Sequence, residues 1–160
     1  MFNPRANSSR PNNETSFPAA LVASVFLAAA FIPLTSNTDV LMGPVPARVL
    51  EITDGDTLKV RARIWLGQEV DISVRLAGVD TPELHGTCAR ERELAQSARR
   101  MVENLIAGRP VILHYIRYGK YAGRVLARVT TDNGEDLAAR LIAAGLGREY
   151  GGAVRSNWCS

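Results

Sequence analysis

An alternation of apolar and polar residues constrains the fold more than any other feature of the chain. Every second residue is apolar from position 58 to 66 and again from 70 to 76, with mostly charged or polar residues between them. A period of two residues is typical of a β-strand with one buried face. A short turn containing Gly67 separates the two stretches, and the strand-like segment 47–52 precedes them. These residues predict an antiparallel three-stranded meander.

The spacing of apolar residues changes after the meander. In 88–108 they recur every three or four positions, which predicts an amphipathic helix that stops at Gly108. Two more strands are predicted at 110–118 and 123–131, followed by a short helix at 135–145. Five strands, with one helix after the third and one after the fifth, are typical of a small closed or partly closed barrel. The sequence therefore predicts an α+β domain: a five-stranded oligonucleotide-binding (OB-fold) β-barrel with inserted and C-terminal helices.

The first 39 residues have the composition of a targeting segment. Arg5 and Arg10 precede an uncharged apolar run at 17–34 that contains three successive alanines. This order is typical of a secretory signal peptide, and it predicts a secreted or periplasmic protein. The run approaches the roughly 20 residues that a spanning helix needs, so an uncleaved membrane anchor facing outside the cytoplasm is the alternative. A membrane is expected as a partner only in that second case, and residues 40–160 form the folded domain in both.

The charge of the chain mildly favours an anionic partner. The four charged residues of the first 39 cancel, so the whole net charge of +3 belongs to the domain. The sequence pI is about 9.2. A basic domain attracts nucleic acid, although so small an excess of charge is weak evidence when taken alone.

Two aspartates stand where predicted strands begin or end. Asp56 belongs to the turn 53–57 (TDGDT) and Asp80 to 79–83 (VDTPE), each at the edge of an apolar strand. If these strands are neighbours, both carboxylates point at one position and offer the hard oxygen ligands that Ca²⁺ prefers. No cysteine or histidine spacing indicates zinc. A plain Asp-Gly turn is the alternative interpretation of the first motif.

Three further charged residues suit phosphoryl chemistry beside such a cation. Arg75 leads into Asp80, and Arg124 opens a predicted strand. Guanidinium groups bind phosphate oxygens bidentately and stabilise the charge of a transition state. Glu83 lies three residues after Asp80, where it can orient an attacking water or accept its proton. Taken alone, each arginine is more simply a solvated strand residue.

The two cysteines, Cys88 and Cys159, are an even count in a chain that the leader directs to an oxidising compartment. We expect a disulfide between them that fastens the C-terminal tail beside the motif 79–83. Two unrelated thiols are the alternative.

Three motifs together resemble a known family. ITDGDTLKV (52–60), VRLAGVDTPE (74–83) and GRVLARV (123–129) look like the motifs of the staphylococcal (micrococcal) nucleases, also called thermonucleases, in the same order and with similar separations. The resemblance covers residues 47–147. It implies a five-stranded OB-fold barrel and Ca²⁺-dependent hydrolysis of phosphodiester bonds in DNA and RNA. It further implies cleavage of the bond to the 5′ oxygen, which leaves 3′-phosphate products.

The resemblance also implies a set of metal-binding residues. Asp56 and Asp80 match the family's two metal carboxylates, and Thr81 matches the residue that lends a backbone carbonyl. Asp54 resembles a carboxylate that lies near the metal without binding it. The implied cofactor is Ca²⁺.

Catalytic and nucleotide-contacting residues follow from the same resemblance. Arg75 and Arg124 match the phosphate-binding arginines, and Glu83 matches the proposed general base. The chain has one residue more than the family prototype between its Lys-Tyr pair and Arg124, and a glycine-rich tail stands where the prototype has tyrosines and a third helix. The residues that offer nucleotide contacts are Lys120, Tyr121 and Tyr150.

The favoured function is a monomeric nuclease of low sequence selectivity, since phosphate and metal contacts read no base. The expected substrates are DNA and RNA, single-stranded or as a frayed duplex. The main alternative is a noncatalytic OB-fold module that binds nucleic acid, which predicts loss of the carboxylates that Asp56, Asp80 and Glu83 here supply. An envelope-tethered interaction domain explains the N-terminus but leaves the charged motifs without a role.

Overall fold

The computed structural model describes residues 39–152, 154–155 and 157–159, all of them within one compact unit, Ser36–Ser160. The predicted leader, with its apolar run at 17–34, therefore lies outside the described residues. In the part that is described, no helix combines the length and apolar character needed to cross a membrane. The elements are β1 (Val45–Asp54), β2 (Thr57–Trp65), β3 (Gln68–Leu76), β4 (Val79–Asp80), α1 (Ala89–Ile106), β5 (Val111–Tyr118), β6 (Arg124–Thr131), α2 (Leu137–Ala143) and β7 (Arg148–Glu149).

The long strands close into a barrel in the order β1-β2-β3-β6-β5, with β5 returning to pair with β1. Neighbouring strands run antiparallel except for β3 and β6, which are parallel. The predicted meander corresponds to β1, β2 and β3, and the helices follow the third and fifth strands of the barrel. The α+β class, the five-stranded OB-fold barrel and the positions of both helices are confirmed.

Alternate residues of the barrel strands fill the core, as the two-residue period predicts. Leu58 and Val60 on β2, and Val74 and Leu76 on β3, are at most 1% exposed. Full burial of each such side chain contributes about 1.5 to 3 kcal/mol relative to leaving it in water. The intervening positions, including Arg75, face away from this core.

The alternation overestimates the buried face at the far end of β2. Ile64 is 51% exposed and Leu66 is 88% exposed. The β2–β3 pairing shifts register between Arg63 and Trp65, and the hairpin projects beyond the packed core. The expectation of a continuous buried face from 58 to 66 is therefore wrong, because a period tells which residues share a face but not where the core ends.

Helix α1 begins at a cysteine cap and packs one face into the barrel core. The Cys88 Sγ accepts a hydrogen bond from the backbone N–H of Glu91 at 3.4 Å, and Ala107 ends the helix in a left-handed conformation. Ala98 and Val102 are completely buried and belong to the same core cluster as the strands. The helix thereby lies against the barrel wall beside the turn that joins β1 and β2.

A small second sheet was not predicted from the sequence. Strands β4 and β7 pair antiparallel, with Val79 opposite Glu149 and Asp80 opposite Arg148. The backbone N–H of Tyr150 continues this pairing by donating to the Gly78 carbonyl at 3.0 Å. The glycine-rich tail is thus fixed by its backbone to the stretch that carries Asp80.

Candidate functional site

Asp56 and Arg75 meet where the turn between β1 and β2 reaches the end of β3. Thr57 is the register partner of Arg75, and the Leu76 N–H donates to the Asp56 carbonyl at 2.8 Å. Arg75 Nη1 donates to Asp56 Oδ1 at 2.9 Å, and Nη2 lies 2.8 Å from Oδ2. The side chains are 19% and 3% exposed, respectively, so this is a largely buried ion pair.

The turn that carries Asp56 packs directly against helix α1, and this close packing requires a glycine at position 55. A Cβ at Gly55 would lie 2.7 Å from the Ala98 Cβ and 3.2 Å from the Thr81 Oγ1. Any side chain at Gly55 would therefore push the turn away from α1 and from Thr81. The Asp-Gly-Asp motif is more than a simple surface turn because its glycine sets the distance between the two halves of the site.

Asp80 and Thr81 bring the second half of the site from β4. They are 2% and 1% exposed. Arg75 Nη2 also lies 3.5 Å from Asp80 Oδ1, so one guanidinium connects the two buried aspartates. The structure thus brings together Asp56, Asp80 and Arg75, whose proximity was a prediction from the strand edges.

The electrostatics of Asp56 depend mainly on burial. Burial raises the pKa of Asp56 above its ordinary value, while the charge of Arg75 and a hydrogen bond from Thr57 lower it. The nearby charge of Asp54 adds a small increase in the Asp56 pKa, consistent with a carboxylate placed close to the site. Although Asp56 Oδ2 is within ion-pair distance of Arg75, it accepts no well-aligned hydrogen bond. A buried carboxylate oxygen is therefore left for another electropositive group.

The donor atoms of this cluster fit a hard divalent cation. The Asp56 and Asp80 carboxylates and the Thr81 backbone carbonyl supply oxygen ligands of the type that Ca²⁺ and Mg²⁺ prefer. Asp56 Oδ2, which is buried and accepts no well-aligned hydrogen bond, is available to such a cation. A cation held by so few protein groups keeps positions open for water and for a phosphate oxygen.

Arg155, which the sequence reasoning did not single out, contacts the same groups from the C-terminal tail. Its Nε donates to Asp80 Oδ1 at 2.6 Å, and its Nη2 donates to the Thr81 carbonyl at 2.8 Å. Its Nη1 forms a short ion pair with Glu83 Oε1. The side chains of Arg155 and Glu83 are 37% and 52% exposed, so this edge of the site opens to solvent.

The tail that carries Arg155 is fastened on its C-terminal side. The predicted disulfide between Cys88 and Cys159 is present, with Cα atoms 5.9 Å apart. Trp158 is 5% exposed, and its indole N–H donates to Asp80 Oδ2 at 3.3 Å. The Arg148 guanidinium lies 3.9 Å from the Trp158 ring centroid. The predicted disulfide was the one sequence signal that could have located these tail residues beside Asp80.

Arg124 is not joined to the cluster in this structure. Its guanidinium lies 4.9 Å from the Tyr121 ring centroid, and Lys120 Nζ lies 6.0 Å from the same ring. In the described part of the chain, no hydrogen bond or ion pair connects Arg124 to the buried aspartates. The parallel register nevertheless places it beside Ser73, two residues before Arg75. The loop with the extra residue therefore holds Lys120, Tyr121 and Arg124 together at the edge of the barrel.

Tyr150 lies next to β7 and lines an open groove with Gly78, Arg128 and Glu149. Its predicted part in nucleotide binding stays a prediction.

A closed OB-fold barrel carries buried aspartates, a bridging arginine and a half-exposed glutamate at one edge, an arrangement suited to binding a cation and a phosphate. A sequence profile of the family described as staphylococcal nuclease homologue matches residues 73–157, more than half of the chain. The chain belongs to this family, and membership indicates a nuclease-type function on a nucleic acid. The matched range includes Arg75, Asp80 and Arg155, whereas Asp56 precedes it. No curated protein matches the chain significantly.

Proposed function

We propose that the protein is a Ca²⁺-dependent phosphodiesterase that hydrolyses DNA and RNA, with low sequence selectivity, to 3′-phosphate products. The observation that carries this proposal is the buried pair Asp56 and Asp80, joined by Arg75, next to the solvent-accessible carboxylate of Glu83. Burying two carboxylates costs several kcal/mol of desolvation per ion unless positive charge compensates them. Within the buried part of the site Arg75 compensates one of these charges, and a bound cation is the proposed partner of the other.

The proposed cation ligands are the Asp56 and Asp80 carboxylates and the Thr81 carbonyl, with Asp54 adding negative charge nearby. A bound Ca²⁺ would neutralise phosphate charge and orient the scissile group. Arg75 completes this environment from the protein side. Its partly exposed fork can donate to phosphate oxygens and stabilise the extra negative charge of a five-coordinate transition state.

Glu83 is the proposed general base. Its side chain is 52% exposed, so water reaches its carboxylate directly. As the water oxygen forms its bond to phosphorus, Glu83 accepts the proton, and the bond from phosphorus to the 5′ oxygen breaks. The 3′ side keeps the phosphate, the leaving 5′ oxygen takes up a proton from solvent, and Glu83 returns its proton to solvent.

The loop at the barrel edge is the proposed place for the substrate chain. Tyr121 is 60% exposed, so its ring is available for base stacking. Arg124 contacts phosphate in this proposal only after its guanidinium leaves the Tyr121 ring. Lys120 beside it supplies positive charge, and Tyr150 is a further candidate contact across the tail.

We propose that the chain works outside the cytoplasm as a monomer. The Cys88–Cys159 disulfide supports an oxidising compartment, and the sequence of the leader supports export. A membrane-anchored form facing outside the cytoplasm is the alternative, which differs only in whether the leader is removed.

A noncatalytic nucleic-acid-binding barrel is the second candidate function. Arg155 favours this second function, because its contacts satisfy Asp80, Thr81 and Glu83 without any metal ion. Under that alternative, the charged groups would serve only to hold the tail, and the basic loop would bind nucleic acid without cutting it.

Digestion of single-stranded DNA and RNA by the full-length chain tests the proposal. We expect fragments with 3′-phosphate ends in millimolar Ca²⁺. Glu83→Gln, which keeps the size of the side chain but replaces the basic carboxylate with a neutral amide, should bind substrate but cut it about 10² to 10⁴-fold more slowly. A mobility shift with intact substrate in the wild type would instead support the noncatalytic module.

A further inference from the structure

Arg155 places a guanidinium where the proposed function places a divalent cation. Its three nitrogens face Asp80 Oδ1, the Thr81 carbonyl and Glu83 Oε1. Two of these oxygens belong to the proposed cation ligands, and the third belongs to the proposed general base. A cation bound to these oxygens would lie close to the guanidinium that they accept hydrogen bonds from, and repulsion between the two positive groups disfavours both being there at once.

Charge balance gives this arrangement a physical reason. Asp56, Asp80 and Glu83 contribute three negative charges, of which Arg75 compensates one within the buried part of the site. The Asp80 side chain is 3% exposed and shares Arg75 with Asp56, so a second positive partner stabilises it when no cation is bound. Arg155 supplies that partner through its forked geometry, which also satisfies the Thr81 carbonyl.

The tail can release Arg155 without leaving the domain. On its C-terminal side Trp158 is buried and Cys159 is bonded to Cys88. On its N-terminal side Val154 is 94% exposed, and Gly151 and Gly152 are exposed as well. Arg155 thus lies on a short span between a fixed anchor and an exposed segment. Its own side chain is 37% exposed, so it can turn outward into water.

We propose that Arg155 is a built-in competitor for the cation site, so that a divalent cation binds by displacing its guanidinium from Asp80, Thr81 and Glu83. This inference rests on the proposed function, since it assigns a regulation to the same site. Because the tail is tethered, Arg155 competes at a high and constant effective concentration. The measured cation affinity of the intact chain is then lower than the intrinsic affinity of the ligands, by the fraction of molecules in which Arg155 is displaced. The same displacement frees Glu83 to accept a proton.

Calorimetric titration of the full-length chain with CaCl₂, in the absence of nucleic acid, tests this competition. Arg155→Gln removes the positive charge, and we expect it to bind Ca²⁺ about 10 to 100-fold more tightly than the wild type, as for a site that is occupied internally 90 to 99% of the time. Arg155→Lys keeps the charge but loses the fork and should fall between the two. Arg140→Gln, a change of an exposed arginine on α2, is the matched control and should bind as the wild type does.

A second readout uses thermal unfolding of the same proteins. In chelator, Arg155→Gln should unfold at a lower temperature than the wild type, because Asp80 has lost a partner. In saturating Ca²⁺ the difference should disappear or reverse, because tighter ligand binding stabilises the variant more. If Arg155→Gln does not fold in chelator, Arg155→Lys carries both measurements.

The outcomes separate the two proposals. Equal or weaker Ca²⁺ binding by Arg155→Gln, with a wild type that binds Ca²⁺ and cuts DNA, overturns the competition and leaves the nuclease proposal standing. If neither protein binds Ca²⁺, the proposed cation site is wrong and the competition falls with it. Tighter binding by the variant, with the thermal reversal, supports the competition even if the cation-bound protein cuts slowly.

Discussion

Two arginine–aspartate pairs on or beside the β2–β3 ladder share almost the same geometry. Midway along the ladder, where the two residues are register partners, Arg61 donates to Asp71 at 2.6 and 2.7 Å. At the end of the ladder away from the hairpin, Arg75 lies 2.9 and 2.8 Å from the Asp56 oxygens. The first pair is 38% and 41% exposed, and the second is 19% and 3% exposed. The comparison teaches that burial, more than distance, separates an ordinary surface pair from a candidate site.

The pKa values of the two aspartates shift in opposite directions, although both arginines lower the pKa of their partner. Hydrogen bonding to Arg61 lowers the pKa of Asp71 below its ordinary value. Burial raises the pKa of Asp56 even though Arg75 opposes the shift. An exposed pair of this kind is screened by water and stabilises little. A buried pair also costs desolvation, so its presence calls for a functional explanation.

Removing the arginine of each pair should produce the largest difference between the two pairs, measured as the rate of DNA cleavage. Arg75→Ala should slow DNA cleavage in Ca²⁺ by about 10² to 10³-fold, the effect expected for losing a donor to transition-state charge. Arg61→Ala, the matched control, should change the rate by no more than about twofold, as for an exposed substitution. The cleavage rates of both variants and of the wild type at saturating substrate test this prediction. Equal losses of cleavage rate would mean that exposure does not distinguish the two arginine–aspartate pairs.

The disulfide fastens the tail beside the buried pair, and its loss should be the largest effect on stability. Cys159→Ser opens a link between residues 71 positions apart, which the chain-entropy model values at about 4 to 5 kcal/mol. Urea unfolding of Cys159→Ser and of the wild type, each with far-UV circular dichroism, measures the difference. An unchanged unfolding midpoint would show that the disulfide contributes nothing to the free energy of unfolding.

Two leucines on or beside β2 extend the comparison to packing. Leu58 is fully buried and Leu66 is 88% exposed. Leu58→Ala should lower the free energy of unfolding by about 2 to 5 kcal/mol, because it leaves a cavity in the barrel. Leu66→Ala should change it by no more than about 0.5 kcal/mol. A large cost for Leu66→Ala would mean that the hairpin is packed against something in solution.

The smallest expected effect concerns Cys88, which both forms the disulfide and caps helix α1. Two variants distinguish these roles. Cys88→Ser and Cys88→Ala both break the disulfide, but serine can still cap helix α1 in place of the Sγ that accepts from Glu91. Cys88→Ala should therefore be less stable than Cys88→Ser by about 0.5 to 2 kcal/mol in urea unfolding. Identical stabilities of the two variants would remove the capping role.

Much of the barrel could be predicted because its signals are local. The two-residue period locates β2 and β3, and the change to a helical period locates α1. The proximity of Asp56, Asp80 and Arg75 was also predictable, since each lies at or next to the end of a strand. The residue types in that meeting agree with the resemblance to the nuclease family.

The tail could not be predicted in the same way. Its glycine-rich sequence has no period, and the pairing of β4 with β7 joins residues about 70 positions apart. Arg155 contacts Asp80 across a similar separation. Such long-range contacts depend on where the disulfide and the buried Trp158 hold the chain, which no local pattern encodes.

The calcium dependence of cleavage by the full-length chain tests the central claim most directly. We expect the rate of single-stranded DNA hydrolysis to rise with free Ca²⁺ concentration and saturate, to fall to background in excess chelator, and to return when Ca²⁺ is restored. Asp80→Asn, which removes one charged ligand, should require more Ca²⁺ for half of its maximal rate. Cleavage that continues unchanged in chelator, or its absence at every Ca²⁺ concentration, would contradict the account.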